Sequence, residues 1–166
     1  SKTNFTVTIL TKSDLILRDI DILKKCQTED VGFPITTPDE EIRRKFEPYS
    51  SSTERRLAAL RKLAESGLRT FVFFGPVLPY FSDREEKIEA LFQKLKDAKV
   101  PKVLVDTMNF RKDIWVGFKD FLQKYFPESL EYYFLVLEDE SYYAAELKDR
   151  ISLAAKKFKL KYEFCF

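Results

Sequence analysis

The segment Thr70–Pro79, TFVFFGPVLP, decides the fold class that this sequence predicts. Its first half holds a run of apolar β-forming residues with no polar residue between them, which is typical of a strand covered on both faces. Its second half contains Gly75-Pro76, which predicts a turn at the end of that strand. We therefore expect a central strand of a parallel sheet here.

Three other segments repeat this pattern of an apolar run that changes into polar residues at its carboxyl end. They are Phe5–Ser13, Val31–Thr37 and Val103–Asn109. In α/β proteins the carboxyl ends of parallel strands lie at one edge of the sheet, and ligands bind there. The four polar ends are therefore expected to form a single rim, which is the predicted binding site.

Amphipathic segments with helix caps separate these strands, and the alternation of β and α elements predicts a parallel sheet with helical crossovers. Four or five strands are too few to close a barrel, so we expect one α/β domain, residues 1–166, with an open sheet. The predicted helices cover residues 14–26, 38–46, 53–66, 84–99, 114–125, 129–137 and 142–158, and a terminal strand covers 161–166. For residues 129–137 a strand is the alternative.

Composition excludes several classes of function. Lys and Arg number 29 against 27 Asp and Glu, so the net charge of +2 gives no general reason to expect nucleic acid or an anionic membrane as a partner. No apolar run reaches the roughly 20 residues of a membrane span, and no secretory signal is visible, so a cytoplasmic location is expected. Histidine is absent, which excludes imidazole catalysis and His metal sites. Cys26 and Cys165 are expected to be free, buried thiols.

Three short motifs carry a resemblance to a known family. They are Thr11-Lys12-Ser13 with Leu17-Arg18-Asp19 behind it, Glu47-Pro48 before a serine-rich turn, and Gly75-Pro76-x-x-Pro79. In this succession the chain resembles the later part of the radical S-adenosylmethionine (SAM) enzymes similar to spore photoproduct lyase, a DNA-repair lyase group. The resemblance covers nearly the whole chain and implies barrel strands three to six of a (β/α)6, TIM-like partial barrel.

The same resemblance implies which part of the enzyme is missing. In such enzymes the first barrel strand is followed by Cys-x3-Cys-x2-Cys, which binds a [4Fe-4S] cluster, and this chain has no such motif. Its two cysteines cannot hold a four-iron cluster, which takes three or four thiolates. The resemblance therefore implies a C-terminal half that is inactive alone. Both cofactors, SAM and the cluster, belong to a longer parent protein, and nucleic acid is a partner only of that parent.

The resemblance also implies a set of cofactor-binding residues, although no catalytic residue and no metal ligand. Lys12 would pair with the SAM carboxylate, a task that suits the point charge of a lysine. Thr36 and Thr37 would lie at the ribose, and Phe74, Gly75 and Pro76 would approach the adenine. Asp106 and Asn109 would complete the rim, and Ser13, next to Lys12, also belongs to the predicted cofactor site. Each also has a simpler interpretation, as a solvated lysine, a helix cap, a turn or a core side chain.

A second function fits the sequence as well. A stand-alone α/β module could use the rim for a nucleotide-like ligand or use an open sheet edge to pair with another protein chain. In the first hypothesis the partner is the missing N-terminal half of the barrel. The unpaired main-chain N–H and C=O groups of Phe5–Leu10 need hydrogen-bond partners. We therefore expect this edge to pair with another copy in a homodimer or to be covered by Lys161–Phe166.

Overall fold

Five parallel strands form one open sheet in the order β1-β2-β3-β4-β5. The structure is a computed structural model that describes residues 5–26 and 28–166. The strands are β1 (Val7–Leu10), β2 (Thr28–Pro34), β3 (Thr70–Val77), β4 (Val103–Thr107) and β5 (Tyr162–Phe164). The predicted open parallel α/β sheet is therefore confirmed. That residues 1–166 are a single domain stays a prediction, and residues 1–4 and 27 lie outside the described part.

Helices connect each strand to the next. They are α1 (Ile20–Lys25), α2 (Glu40–Phe46), α3 (Thr53–Glu65), α4 (Glu85–Asp97), α5 (Lys112–Tyr125), α6 (Leu130–Glu138) and α7 (Glu140–Phe158), with short 3-10 helices at Asp14–Asp19 and Pro127–Ser129. The helical interpretation of residues 129–137 is confirmed, because α6 covers nearly all of them. The segment that was predicted as one helix over residues 14–26 is instead a 3-10 turn followed by α1.

Side-chain caps decide where the helices next to the predicted site begin and end. The Asp39 carboxylate accepts hydrogen bonds from Glu41 N and Ile42 N, at 3.0 and 3.3 Å, and so begins α2. Ser52 caps α3 by accepting from Arg55 N at 3.2 Å. Gly67 follows α3 with a φ of 91°, the left-handed geometry that glycine adopts without strain.

The main hydrophobic core lies between one face of the sheet and the helices. Alternate residues of the central strands point into it and are buried, as Phe33 of β2, Phe74 of β3 and Val105 of β4 show. The apolar faces of α3, α4 and α7 cover them. The residues between these positions, such as Phe71 and Phe73, point to the opposite face of the sheet and do not belong to the main core.

A second, aromatic core lies beyond the carboxyl ends of β3 and β4. Its buried members are Leu78, Phe81, Met108, Leu122 and Tyr133. Partly buried aromatic rings from α2 and α5 pack around them, and the ring centroids of Phe46 and Phe81 are 5.1 Å apart. Because this core joins α2, α5 and α6, it fixes the loops that follow the central strands.

One of the two alternatives predicted for the open edge of the sheet is wrong, and so is the predicted burial of the cysteines. The terminal strand β5 pairs with β4 at the far edge of the sheet, so it does not cover β1. Within the described residues β1 pairs only with β2, and Val7 and Leu10 are exposed. Pairing of β1 with another copy stays a prediction.

The two cysteines are free as predicted but not buried, because Cys26 is half-buried and Cys165 is exposed.

In residues 5–26 and 28–166, no helix combines the length and the apolar character that crossing a membrane requires.

Candidate functional site at the carboxyl ends of the strands

Lys12, two residues beyond β1, forms an ion pair with Glu47 at the carboxyl edge of the sheet. Lys12 Nζ lies 3.0 Å from Glu47 Oε1. The lysine side chain is 48% exposed, whereas the glutamate side chain is 4% exposed. Glu47 follows the last residue of α2, so the first strand end and the α2–α3 connection meet at this pair.

Three further side chains hold the Glu47 carboxylate in place. Arg56, whose side chain is 1% exposed, donates to Glu47 Oε2 from the first turns of α3. Thr36 Oγ1 donates to Glu47 Oε1 at 3.2 Å, and Ser50 Oγ donates to Oε2 at 3.1 Å. A buried carboxylate is tolerated only when its oxygens are paired in this way.

Arg56 also connects the carboxylate to the end of β2. Its Nη1 donates to the carbonyl oxygen of Pro34, the last residue of β2, at 2.6 Å. Its Nε donates to the Ser51 carbonyl oxygen at 2.8 Å. The planar guanidinium therefore ties β2, α3 and the connection before α3 into one rigid unit.

Electrostatics keep Glu47 ionised. Burial raises the pKa of Glu47, but the hydrogen bond and charge of Arg56, together with the charge of Lys12, outweigh burial, and the pKa lies below its usual range. The carboxylate therefore stays negative at neutral pH and continues to attract the Lys12 ammonium group.

A cavity of about 350 Å³ opens beside this ion pair. It is lined by Thr11, Lys12, Ser13, Phe46, Glu47, Pro48, Tyr49 and Ser50. The lining combines an exposed cation with hydroxyl groups and two rings, and Tyr49 is fully exposed at the rim. Such a lining can bind an anionic group next to an apolar one.

A larger cavity, of about 700 Å³, lies at the opposite edge, near the amino ends of β2, β3 and β4. Its charged residues already have partners, because Arg69 pairs with Glu29 at 3.3 Å and with Asp30 at 3.1 Å, and Lys102 pairs with Glu163 at 2.7 Å. It is therefore a weaker candidate than the cavity at the carboxyl edge, where ligands of parallel sheets bind.

Among the predicted residues near Lys12, Ser13 and Thr36 lie close to the ion pair, whereas the Thr37 hydroxyl bonds to the turn before α2. Thr36 is buried and reaches the ion pair through Glu47, so the structure brings Lys12, Ser13 and Thr36 together. Ser13 Oγ also accepts from Leu15 N at 3.3 Å as a helix cap. Thr37 is fully buried and accepts from Asp39 N at 3.1 Å, so its hydroxyl orders the turn before α2.

The predicted adenine contacts lie within β3. Gly75 and Pro76 are inside the strand, which shifts register between Phe74 and Val77, so the predicted turn after the strand is wrong. The Phe74 side chain is fully buried in the main core, and its ring centroid lies 6.3 Å from that of Phe92. Pro76 is exposed. A role for this segment in adenine binding stays a prediction.

The remaining rim residues lie at the end of β4. Asp106 is half-buried, and its Oδ1 accepts from Thr107 N at 3.0 Å. Burial raises the pKa of Asp106, and the Thr107 hydrogen bond opposes it only in part. Asn109 is exposed and its side chain accepts from Arg111 N at 3.0 Å, just before α5.

Sequence reasoning missed the two residues that organise the site, Glu47 and Arg56. Glu47-Pro48 was recognised only as a resemblance motif and as the end of a helix. The missed signal is an arginine beside Leu57 on the apolar side of α3, where a charged residue requires a buried partner.

The described residues contain no site for an iron–sulfur cluster. No group of three or more His, Cys, Asp or Glu side chains in residues 5–26 and 28–166 could hold a metal ion. The cluster implied by the sequence resemblance therefore does not fit this chain. Lys12 offers an exposed ammonium group beside a cavity, a group that can pair with a carboxylate.

The sequence pattern of the radical SAM superfamily matches residues 1–95, more than half of the chain. The chain belongs to the radical SAM superfamily. It is 40% identical over 79 residues to an uncharacterized protein of Methanocaldococcus jannaschii, a match that covers 48% of this chain and 30% of that protein. An uncharacterized protein of Mycobacterium tuberculosis is 25% identical over 161 residues, which cover 93% of this radical SAM chain and 47% of the relative.

Solved structures of spore photoproduct lyase have the same fold. One mutant form superposes with a TM-score of 0.72 at 20% identity over 99% of this chain. Another, with bound AdoMet and dinucleoside spore photoproduct, superposes with a TM-score of 0.71 at the same identity. Both matches confirm the partial-barrel fold. The radical SAM chain spans 52% of the lyase and less than half of the curated relatives named above.

Proposed function

We propose that this chain is the C-terminal half of a radical SAM enzyme and forms one wall of its SAM pocket. The carboxyl ends of β1 and β2 would provide that wall, with Lys12 as the group that pairs with the SAM carboxylate. The observation that carries the proposal is an exposed ammonium group beside a cavity of about 350 Å³ at the carboxyl edge of an open parallel sheet. Family membership supplies the cosubstrate, because superfamily members use SAM.

The other strand ends would complete the same wall. Thr36 lies next to the ion pair, and Gly75 lies within the neighbouring strand β3, close to its last residue Val77. Phe74 is fully buried, so the segment would contact adenine through its backbone and through Pro76. Asp106 and Asn109 lie further along the edge.

The chain would be inactive without a second, cluster-binding half. When bound, a [4Fe-4S] cluster supplies the electron that cleaves SAM, and no cysteine set in the described residues can hold it. The exposed strand β1, at the edge of the sheet, is the surface that such a half would cover. The likeness to spore photoproduct lyase supports a parent that acts on a nucleic-acid lesion.

Iron content tests the proposal directly. The protein encoded by the complete reading frame should bind about four iron atoms after anaerobic reconstitution and, when a one-electron reductant is added, should cleave SAM. The isolated 166-residue chain should bind almost no iron and leave SAM intact. A cleavage reaction catalysed by the isolated chain, or a complete reading frame without a cysteine set for a cluster, would contradict the proposal. Repair of dinucleoside spore photoproduct by the complete protein tests its substrate class.

A further inference from the structure

We propose that Glu47 is a positioning residue that fixes the Lys12 ammonium group at the wall of the cavity, where it meets the SAM carboxylate. The inference rests on the proposed function and assigns a role to a residue beyond the predicted contacts. Glu47 itself would not need to touch the cosubstrate. It would act through the ion pair of 3.0 Å with Lys12.

The contrast in burial between the two partners supports this role. A lysine side chain that is half exposed samples many rotamers, and each one lost on binding lowers the affinity. Glu47 is nearly inaccessible and is held by Arg56, Thr36 and Ser50, so it offers an anchor that does not move. An ammonium group fixed to such an anchor is already in place when the cosubstrate arrives.

The hydrogen-bonding capacity of Lys12 leaves room for a ligand. An ammonium group has three donors. One of them is directed at Glu47 Oε1, and the side chain is otherwise exposed beside the cavity. The same lysine can therefore hold its anchor and an incoming carboxylate together.

The charges around the ion pair leave a positive charge beside the cavity. Two cations, Lys12 and Arg56, pair with the single Glu47 carboxylate. The Arg56 side chain is 1% exposed and the Lys12 side chain is 48% exposed, so the lysine is the cation that can reach a ligand in the cavity. Arg56 therefore neutralises the charge of Glu47, and Lys12 stays able to attract an anion.

A double-mutant cycle in the complete, cluster-loaded protein tests the role. Glu47→Asp keeps the charge that Arg56 requires but withdraws the carboxylate from Lys12 by about one methylene group. With Lys12 present, we expect this change to weaken SAM binding, measured by calorimetry, by about threefold to tenfold. In a Lys12→Ala background the same change should have almost no effect. Glu41→Asp, at an exposed position of α2, is the matched control and should leave affinity unchanged.

The pattern of the cycle separates positioning from general support of the fold. A merely structural role predicts the same loss of affinity in both backgrounds, and that result would overturn the inference, as would an unchanged affinity of Glu47→Asp. If Glu47→Asp does not fold, the double replacement Glu47→Gln with Arg56→Met takes its place in the cycle, because it removes both buried charges together.

Failure of the inference differs from failure of the proposed function. Absence of SAM binding by the wild-type complete protein would overturn both. Binding that weakens in Lys12→Ala but shows no coupling to Glu47 would overturn the positioning role and leave the SAM pocket supported.

Discussion

The ring of Phe71 lies over Gly32, its partner on the neighbouring strand, at the face of the sheet opposite the main core. A Cβ atom at position 32 would lie 2.3 Å from the Phe71 Cζ atom. Phe73 covers Gly75 in the same way, with 2.4 Å to its Cε1 atom. Two aromatic rings thus lie against these positions, because glycine leaves space for them.

Gly32→Ala should destabilise the chain by about 1–3 kcal/mol, because the Phe71 ring must leave the sheet surface. The measurement is the free energy of unfolding from urea denaturation. Gly117→Ala is the control, since nothing lies within 4 Å of its added methyl group on α5. It should stabilise the chain by about 0.5–1 kcal/mol, as alanine does in a helix. Equal stability of Gly32→Ala and the wild type would contradict the packing described here.

Two adjacent arginines on α3 should differ sharply when replaced. Arg56→Met leaves the buried Glu47 carboxylate without its main partner, and we expect a loss of about 3–5 kcal/mol in the free energy of unfolding. Arg55→Met breaks an exposed ion pair with Asp14, of 2.8 Å, and should cost about 0–1 kcal/mol. Similar losses for both variants would show that the Arg56–Glu47 pair contributes no more than a surface contact.

Acid should remove the contribution of Glu47 to stability. Its pKa is lowered in the folded state, so the stabilisation is present above the pKa of the unfolded state and is lost as pH falls through the folded-state pKa. Urea denaturation at a series of pH values should therefore show that Glu47→Gln is much less stable than the wild type at pH 7. The difference in the free energy of unfolding between the wild type and Glu47→Gln should become progressively smaller as the pH falls. A difference that does not change with pH would mean that the carboxylate charge is not involved.

Asp83, in front of α4, should show the opposite dependence. It is fully buried, and its Oδ2 accepts from the Tyr132 hydroxyl at 2.9 Å, whereas Oδ1 has no partner among the described residues. Burial raises the pKa of Asp83 against the opposing effects of Tyr132 and Arg150. Its stabilisation is then present below the unfolded-state pKa and is lost as pH rises through the folded-state pKa.

The variant Asp83→Asn tests that sign. It keeps an acceptor for Tyr132 and removes the buried charge, so its stability relative to the wild type should improve between pH 4 and pH 7. Thermal unfolding of both proteins across this range gives the difference directly. A relative stability that declines as pH rises would show that the carboxylate is stabilised in its charged form.

The sequence was sufficient for the fold because each element carries its own signal. The apolar run before Gly75 and the capped helices between strands predict a parallel sheet without any knowledge of distant contacts. The prediction of a turn at Gly75-Pro76 was wrong. It relied on the rule that proline is normally excluded from central strands, whereas here a register shift lets β3 continue. The prediction of a buried thiol at Cys165 was wrong. It relied on the general tendency of free cysteines to be buried, and that tendency does not reveal that β5 is an edge strand.

The site was less predictable, because its decisive contacts join residues that are distant in sequence. Lys12 could be selected from a motif, but its partner is 35 positions away and belongs to another element. Glu47 before a proline is indistinguishable, in sequence, from any acidic residue at the end of a helix. Its burial depends on how α2 and α3 pack, and only the folded chain shows that.

Binding of SAM to the complete, cluster-loaded protein, compared between the wild type and Lys12→Ala, tests the central proposal most directly. We expect calorimetry to show affinity about tenfold weaker for Lys12→Ala, which corresponds to one charge-assisted hydrogen bond. Lys96→Ala, on the exposed side of α4, should bind as the wild type does. Equal affinities of Lys12→Ala and the wild type would show that the carboxyl end of β1 does not bind the cosubstrate carboxylate.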